Sequence, residues 1–228
     1  MKVAVIVPAA GAGTRLKSRT QKPYIALGGK PILARTLVAL SGNKNITEIL
    51  VSVSKDKLNK ARREIIEKYN IKKATLVIGG KERSDSVYNA LKAVSKDADY
   101  ILIHDGIRPF ITDKFIESLL KKVSRFNAVV AAVPVKPTLK FVNKNGFIKN
   151  TPPRECFWEA QTPQVFRRDL IEKAYKIARK KKITATDDSS LVERIGVKPK
   201  IVMGSYSNIK ITTKEDLELA KIIIKRHK

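Results

Sequence analysis

The stretch KVAVIVPAAGAGTRL occupies residues 2–16 of the chain. Residues 2–7 form an almost continuous apolar run that stops at Pro8, which is typical of a strand buried on both faces. The small residues that follow let backbone N–H groups come close to a phosphate. A buried strand that leads directly into a glycine loop indicates an α/β fold with its ligand at the carboxyl end of the strand.

Strand and helix patterns alternate along most of the remaining chain. Further strands are predicted at residues 46–53, 74–78, 100–103, 128–133, 164–166 and 200–203. Helices are predicted at residues 31–40, 57–69, 82–94, 112–123, 167–182, 188–195 and 214–226. We therefore predict a single domain over residues 1–228, built as a three-layer α/β/α sandwich around a mostly parallel, Rossmann-like sheet.

The alternation is interrupted at about residues 136–153, which we interpret as an inserted β-hairpin arm. Two short strands, at residues 138–142 and 147–149, flank Asn145-Gly146, a pair typical of a tight hairpin turn. An isolated hairpin is marginal in water, yet this one carries several large apolar side chains. We expect those side chains to pack either on the arm's own domain or on a twofold-related copy of the chain.

The chain is strongly basic, with 47 lysines and arginines against 21 acidic residues and a net charge of +26. Such a balance fits a nucleic-acid partner, an enzyme of phosphate-bearing substrates, or a solvated basic surface. The cations of residues 167–182 fill one face of an amphipathic helix, and no basic strand interleaved with aromatic residues is present. We expect no nucleic-acid partner.

Two further classes of protein are disfavoured by the sequence. The chain has no apolar run of the roughly 18–20 residues that a membrane span needs, and it starts without a signal-peptide pattern. Its one cysteine, Cys156, excludes an intrachain disulfide and is expected to be a buried or half-buried spectator. We expect a cytoplasmic protein that does not contact membranes.

The first loop is a candidate phosphate site, formed by the backbone of Ala9, Ala10, Gly11 and Gly13. It matches neither the G-x-G-x-x-G fingerprint nor a Walker loop. Two cations, Arg15 and Lys22, follow instead, and cations beside backbone donors suit the charge that develops in phosphoryl transfer. The alternative is a tight turn with two solvated cations.

The fourth predicted strand ends in His104-Asp105-Gly106. A carboxylate at the end of a strand, beside a glycine turn, is well placed to hold Mg²⁺ against nucleotide phosphates. We therefore predict Asp105 as a ligand of Mg²⁺ or another divalent cation. His104 points to the opposite side of its strand and is interpreted as structural.

Six motifs together resemble the 2-C-methyl-D-erythritol 4-phosphate cytidylyltransferase family of the non-mevalonate isoprenoid pathway. They are AAGAGTRL at 9–16 with Lys22, GGKERSDSV at 79–87, HDGIRP at 104–109, QTPQ at 161–164, TDD at 186–188 and SNIKIT at 207–212. They occur in the family's order over nearly the whole chain. Two departures from the family pattern occur. This chain has Gln21-Lys22-Pro23 where many relatives have Pro-Lys-Gln, and Gly106-Ile107 where Ala-Ala is common.

The resemblance implies transfer of CMP from CTP to a sugar-alcohol phosphate, with release of pyrophosphate. It implies that Arg15 and Lys22 stabilise the α-phosphorus, and that Arg154 and Lys210 place the attacking phosphate with help from Thr138 and Arg108. It implies cytosine recognition by Ala9, Ala10, Gly80 and Ser86, and its motifs add Arg83 and Thr162 as substrate-binding candidates. It also implies a homodimer with exchanged arms.

Two alternatives remain at this point. Ribitol-5-phosphate cytidylyltransferases share the fold and the motifs, and only the sugar-phosphate pocket separates the two substrates. A basic nucleic-acid-binding protein would account for the charge but leaves the glycine loop and Asp105 without a role.

Overall fold

The computed structural model describes residues 1–11 and 21–226. The strands are β1 (Val3–Pro8), β2 (Ala26–Leu27), β3 (Lys30–Pro31), β4 (Ile46–Val53), β5 (Ala74–Ile78), β6 (Tyr100–Ile103), β7 (Ala128–Pro134), β8 (Phe141–Val142), β9 (Ile148–Asn150), β10 (Trp158–Arg167) and β11 (Lys200–Met203). The α-helices are α1 (Ile32–Ser41), α2 (Leu58–Ala61), α3 (Arg83–Leu91), α4 (Asp113–Phe126), α5 (Arg168–Lys180), α6 (Asp188–Glu193) and α7 (Lys214–Arg226). Short 3₁₀ turns lie at Lys22–Tyr24, Lys55–Lys57 and Arg154–Cys156.

Within the described residues the main sheet has seven strands in the order β11-β7-β10-β6-β1-β4-β5. Strand β10 runs antiparallel to both of its neighbours, and the other pairings are parallel. Strands β1, β5 and β6 run in the same direction, and β7 does too because β10 is antiparallel to both β6 and β7, so the carboxyl ends of these four strands lie at the same edge of the sheet. The prediction of a mostly parallel α/β fold is confirmed.

Strand β1 lies at the centre and explains the three layers. Its odd residues, Val3, Val5 and Val7, pack with apolar side chains of α1 and α4 on one face. Its even residues, Ala4 and Ile6, pack with those of α3, α5 and α6 on the other. All five are fully buried, because both faces of the sheet are covered by helices.

Strand β10 is longer than the predicted strand at residues 164–166. Its first residues pair with the end of β7, its last with both β7 and β6, and the register shifts between Ala160 and Gln164. Pro163 lies in that irregular stretch, which is where a sheet accommodates a proline. The first half of β10 was not predicted, because Pro163 interrupts the strand pattern of the sequence.

Two predicted helices begin or break differently from their sequence pattern. The single helix predicted at residues 57–69 is wrong in its detail: a 3₁₀ turn ends at Lys57, α2 follows, and a π-helix covers Arg62–Glu67. Helix α3 starts at Arg83, because Glu82 is its N-cap and exchanges hydrogen bonds with Asp85 in a capping box.

A two-stranded β2–β3 hairpin, turning on Gly28 and Gly29 at positive φ, was not predicted.

Helix α7 fixes the last loop of the site. Ala220 of α7 packs with Leu27, Ile32 and Ile211 in a small third core. The Ile211 N–H donates to the Ile107 carbonyl at 3.0 Å, which ties the loop before α7 to the loop after β6. Lys210 is thereby held beside Asp105.

Strands β8 and β9 confirm the predicted hairpin, although β8 is shorter than the predicted strand at residues 138–142 and β9 is shifted by one residue from the predicted strand at residues 147–149. Gly146 turns the chain at φ +84°. The apolar side chains of the arm lie open: Phe141 is 58% exposed, Phe147 70% and Ile148 60%.

In the part of the chain that the structure describes, no helix combines the length and the apolar character needed to cross a membrane.

Candidate active site

The carboxyl edge of the sheet carries a cleft of about 260 Å³ where the loops after β1, β5 and β6 meet the loop before α7. Its lining side chains and backbone come from Pro8, Ala9, Ala10, Gly11, Lys22, Pro23, Gly80, Lys81, Glu82, Arg83, Ser86, Asp105, Ile107, Lys210 and Thr212. We call it the first cleft. It lies where open α/β sheets place their ligands.

Glycines after β5 allow two walls of the first cleft to touch. A Cβ on Gly79 would lie 2.4 Å from Ala10 Cβ, and one on Gly80 would lie 2.2 Å from Asp85 Cβ. The Ser86 hydroxyl accepts from the Gly80 N–H at 3.0 Å and lies 3.2 Å from the Glu82 carbonyl, to which it donates. Ser86 therefore shapes this loop with its hydroxyl.

Lys22 enters the first cleft from the 3₁₀ turn at Lys22–Tyr24. Lys22 is only 4% exposed, and Pro23 beside it also lines the cleft. Lys22 therefore reaches the site although its neighbours in sequence differ from the Pro-Lys-Gln order of many relatives. Gly13 and Arg15, predicted beside it, lie outside the described residues.

Asp105 is the buried carboxylate of the first cleft, and three cations surround it. Its Oδ1 lies 3.0 Å from Arg83 Nε, and its Oδ2 lies 2.9 Å from Lys210 Nζ and 3.6 Å from Arg108 Nε. Burial favours the neutral acid, but these cations outweigh it and hold the pKa of the Asp105 carboxyl well below its usual range. Asp105 is therefore a carboxylate at every working pH.

A buried chain of hydrogen bonds fixes the backbone at Asp105. The Asp105 N–H donates to Thr162 Oγ1 at 3.0 Å, and that hydroxyl lies 3.2 Å from His104 Nδ1. His104 Nε2 lies 3.0 Å from the Arg108 carbonyl, which can only accept. The Nε2–H tautomer satisfies the whole chain, and burial lowers the pKa of His104 to about 4, so the ring is neutral and structural.

A second cleft of about 450 Å³ adjoins the first and shares Lys210 and Thr212 with it. Arg108 lines this second cleft and donates from Nη1 to the Asn208 carbonyl at 2.7 Å. Burial, opposed by Asp105, lowers the pKa of Arg108. Lys210 thus stands at the junction of two adjoining spaces, one beside the glycine loop and one beside Arg108.

The structure brings most of the predicted site residues together. In the first cleft lie Ala9, Ala10, Gly11, Lys22, Gly80, Arg83, Ser86, Asp105 and Lys210. Thr162 lies behind the cleft, buried under Asp105, and lines neither of the two clefts. Thr138 and Arg154 are exposed on the arm and line neither cleft of their own chain.

Some contributing residues were not predicted. Thr212 lines both clefts, and Gln161 lines the second while its Nε2 donates to the Ser205 carbonyl. Ser52 donates from its hydroxyl to the Ser86 carbonyl at 2.8 Å. A serine inside the apolar strand β4 was a signal available in the sequence.

Cys156, expected to be at least half-buried, is exposed.

The charge of the first cleft suits a polyanion. Its described lining has four cations, Lys22, Lys81, Arg83 and Lys210, against the two carboxylates of Glu82 and Asp105. Fixed cations beside backbone N–H groups stabilise charge that develops on a phosphate during displacement. The geometry therefore supports nucleotidyl transfer by positioning and electrostatics.

Comparisons with known proteins agree with this reading. The family model described as 2-C-methyl-D-erythritol 4-phosphate cytidylyltransferase matches residues 3–226. A 2-C-methyl-D-erythritol 4-phosphate cytidylyltransferase of Clostridioides difficile (strain 630) is 46% identical over 224 residues, covering 98% of this chain and 94% of the relative.

Solved structures of the same kind are also similar. The crystal structure of 4-diphosphocytidyl-2C-methyl-D-erythritol synthase from Anaerococcus prevotii superposes with a TM-score of 0.88 at 34% identity, covering 99% of this chain and 96% of that one. The 2-C-methyl-D-erythritol 4-phosphate cytidylyltransferase from Thermus thermophilus gives 0.82 at 31% identity, covering 99% and 100%.

Proposed function

The chain belongs to the 2-C-methyl-D-erythritol 4-phosphate cytidylyltransferase family, and from that premise we propose how its residues divide the reaction. The enzyme transfers CMP from CTP to 2-C-methyl-D-erythritol 4-phosphate and releases pyrophosphate. An oxygen of the acceptor phosphate attacks the α-phosphorus of CTP in line, and the bond from that phosphorus to the pyrophosphate oxygen breaks. The observation that carries the assignment of roles is the carboxylate of Asp105 ringed by cations in the first cleft.

CTP occupies the first cleft in this proposal. Ala9, Ala10, Gly80 and Ser86 read the cytosine, largely through backbone groups, and Gly11 with Lys22 faces the phosphates. Lys22, buried and at the mouth of the glycine loop, stabilises the charge on the α-phosphoryl group as it becomes five-coordinate. The predicted roles of Gly13 and Arg15 fall outside the described residues and stay predictions.

A divalent cation, Mg²⁺ by preference, belongs beside Asp105. A single ionised carboxylate is a ligand that Mg²⁺ takes when substrate phosphates complete its shell. Both oxygens of Asp105 pair with cations in this structure, so the metal would need Lys210 to leave Oδ2 when CTP binds. No cluster of three or more His, Cys, Asp or Glu side chains exists among the described residues, so the protein contributes few ligands of its own. When bound, the cation would neutralise charge on the phosphates of CTP.

Lys210 is the cation that can leave Asp105 most easily. Its side chain is 36% exposed, whereas that of Arg108 is 9% exposed. Lys210 also lines both clefts, so a small movement takes its ammonium from Asp105 to an anion in the second cleft. We assign the second cleft to the acceptor phosphate, with Arg108 as its other cation.

Arg154 and Thr138 complete the acceptor site from a second copy of the chain. In support, both lie on an arm whose large apolar side chains are exposed, and both are outside the clefts of their own chain in the described residues. Arg154 donates from Nη1 to the Lys136 carbonyl at 2.8 Å, which places its guanidinium at the base of the arm. A homodimer with exchanged arms accounts for both features.

One assay tests the reaction and its acceptor together. Pyrophosphate release is measured with each of the four ribonucleoside triphosphates, crossed with 2-C-methyl-D-erythritol 4-phosphate and ribitol 5-phosphate. We expect release with CTP and the methylerythritol acceptor, and rates at least tenfold lower in the other combinations. Faster release with ribitol 5-phosphate would reassign the acceptor. The cytoplasmic location and the lack of a nucleic-acid partner remain predictions.

A further inference from the structure

The second cleft carries as much negative as positive charge. Its described lining has the cations Arg108 and Lys210 and the carboxylates Glu159 and Asp216. The described lining of the first cleft, by contrast, has four cations against two carboxylates. A cleft that received only a phosphate would gain from an excess of cations. The balance in the second cleft therefore indicates a ligand with an anionic end and an uncharged polar remainder.

Glu159 is the acidic side chain of this lining that is available to a ligand. The Asp216 carboxylate is committed to the start of α7, where its Oδ2 accepts backbone hydrogen bonds. The Gln161 amide is also engaged, since its Nε2 donates to the Ser205 carbonyl at 2.9 Å and its Oε1 accepts from Asn208 Nδ2 at 3.3 Å. In the contacts described, the Glu159 carboxylate accepts no hydrogen bond and forms no ion pair.

Strand β10 presents Glu159 to the second cleft. Glu159 pairs with Val133 of β7, which also lines the cleft. Gln161, two positions later, lines it too, as expected of alternate residues along a strand. The carboxylate is close enough to Arg108 to oppose the lowering of the pKa of that guanidinium. Glu159 and Arg108 thus face the same space without closing it by an ion pair.

A carboxylate beside a phosphate site needs a reason, because like charges repel. An ionised carboxylate accepts hydrogen bonds only, and a hydroxyl group that donates to it makes a stronger bond than it makes to a neutral acceptor. The acceptor 2-C-methyl-D-erythritol 4-phosphate carries hydroxyl groups on the carbons beyond its phosphate. Glu159 therefore matches the hydroxyl-bearing end of this substrate, while Arg108 and Lys210 match its phosphate.

We propose that Glu159 is a specificity-determining residue for the acceptor, whose carboxylate accepts hydrogen bonds from the hydroxyl groups of the polyol. The inference rests on the assignment of the second cleft to the acceptor phosphate in the proposed function. It adds an orientation to that assignment, with the phosphate towards Arg108 and Lys210 and the polyol towards Glu159. No bond forms or breaks at Glu159.

Steady-state kinetics of the full-length enzyme at saturating CTP test the proposal with two ligands. One is the substrate 2-C-methyl-D-erythritol 4-phosphate, and the other is methyl phosphate, a competitor that has the phosphate without the hydroxyl groups. In Glu159→Ala we expect the KM for the substrate to rise about tenfold, because a charge-assisted hydrogen bond is lost. Methyl phosphate should bind as well as to wild type or up to about threefold more tightly, because a repulsion is removed. The KM for CTP should stay within about twofold of wild type.

Glu159→Gln separates the charge from the hydrogen bond. Its amide oxygen still accepts from a hydroxyl group, so the KM for the substrate should rise only about threefold, whereas methyl phosphate should bind as it does to Glu159→Ala. Glu172→Gln is the matched control, because Glu172 pairs with Arg168 on α5 and lines neither cleft. It removes the same charge and should leave both constants unchanged. Glu159 is exposed, so we expect its variants to fold, and their melting temperatures check this.

The two ligands distinguish hydroxyl recognition from a structural role. If both ligands bind more weakly to Glu159→Ala, Glu159 only shapes the cleft or holds Arg154 of a second copy, and the proposal is overturned. If both bind more tightly, the carboxylate acts by charge alone. If the KM for the substrate is unchanged, Glu159 does not contact it. Either result also overturns the proposal.

Lys210→Ala tests the assignment on which the inference rests. Loss of this cation should raise both the KM for the substrate and the inhibition constant of methyl phosphate by about tenfold. If neither rises, the second cleft is not the acceptor site, and the proposed assignment and this inference fail together. If both rise while Glu159→Ala leaves the KM for the substrate unchanged, the assignment stands and only the role of Glu159 is overturned.

Discussion

Asp105 sets the charge balance at the scale of single residues, because one carboxylate faces Arg83, Lys210 and Arg108. Asp105→Asn keeps the shape and removes the charge. We expect metal-free CTP to bind more tightly, because an anion now meets less repulsion, and the response to Mg²⁺ to disappear. We expect kcat to fall by about 10²-fold.

Calorimetry with and without Mg²⁺, together with steady-state rates, measures both effects. Asp169→Asn is the control, since Asp169 is an exposed carboxylate paired with Arg167 away from the cleft. An unchanged Mg²⁺ titration in Asp105→Asn would contradict the metal role. Unfolding of the variant would instead identify Asp105 as a structural counter-ion for the three cations.

The second prediction at this scale concerns the effect of replacing Lys22. Lys22→Ala should lower kcat by roughly 10²–10³-fold with a much smaller effect on KM for CTP, because the charge it meets is greatest in the transition state. Lys22→Arg should also be poor, since a planar fork does not replace a point charge. Lys81→Ala is the control, because Lys81 lines the same cleft but is exposed. A Lys22→Ala enzyme with normal kcat and a raised KM would show that Lys22 only binds the nucleotide.

At the scale of elements, the site depends on how loops are held against helix ends. The N–H groups of Thr212 and Thr213 donate to Asp216 Oδ2 at 2.8 Å, and the Asp216 N–H donates to Thr213 Oγ1 at 3.2 Å. This is a capping box at the start of α7, next to Lys210. Although burial opposes the charge, these hydrogen bonds lower the pKa of Asp216.

Asp216→Ala should therefore cost about 1 kcal/mol of stability at pH 7. A carboxyl whose pKa is lowered in the folded state stabilises the protein above its unfolded pKa of about 3.9, and that contribution is lost as the pH falls below this value. The difference between variant and wild type should shrink accordingly as the pH drops from 5 towards 3. Urea unfolding over this range measures it, with Glu218→Ala as control, because Glu218 is exposed and pairs only with Lys221 in the contacts described. A difference that stays constant with pH would mean that the charge of Asp216 contributes nothing.

The close approach of Gly80 to helix α3 gives a further prediction. A Cβ on Gly80 would meet Asp85 Cβ at 2.2 Å and Asp85 backbone atoms at 3.1–3.2 Å, so Gly80→Ala forces the turn away from α3. We expect a loss of stability of about 1–3 kcal/mol and a KM for CTP raised at least tenfold. Gly42→Ala is the control, because its Cβ meets only ordinary contacts at 3.6 Å or more. Normal CTP affinity in Gly80→Ala would show that this turn does not shape the nucleotide site.

The sequence predicted those elements whose pattern is simple and missed those that depend on distant partners. Strand β1 could be predicted because it is buried on both faces, and the carboxyl-edge rule then placed Asp105 and the glycine loop in one site. The first half of β10 could not, because Pro163 interrupts its pattern and only the register shift against β7 accommodates it. The pairing of Arg83 with Asp188 joins residues 105 positions apart and has no local signal.

At the scale of the whole molecule, the arm exposes large apolar side chains that the described residues of its own chain do not bury. Phe147, 70% exposed, and Ile148, 60% exposed, project from a two-stranded hairpin that is marginal alone in water. Arg154 and Thr138 lie at the base of this arm, outside the clefts. Among the described residues the arm thus exposes apolar side chains, and the cleft proposed for the acceptor lacks two of its predicted residues. A twofold copy would account for both features.

Mixing inactive subunits tests whether Arg154 acts across that interface. Lys22→Ala and Arg154→Ala chains are each shown to be inactive and are then co-expressed. If Arg154 acts in the partner's site, each mixed dimer regains one undamaged site, and random pairing gives about a quarter of wild-type activity. Lys22→Ala mixed with Asp105→Asn is the control: both residues line one cleft of the same chain, so that mixture should gain nothing. If Arg154 acts within its own chain, every site in the first mixture keeps a lesion and the activity stays at that of the parents. A monomer by light scattering would contradict the exchanged arm before any mixing.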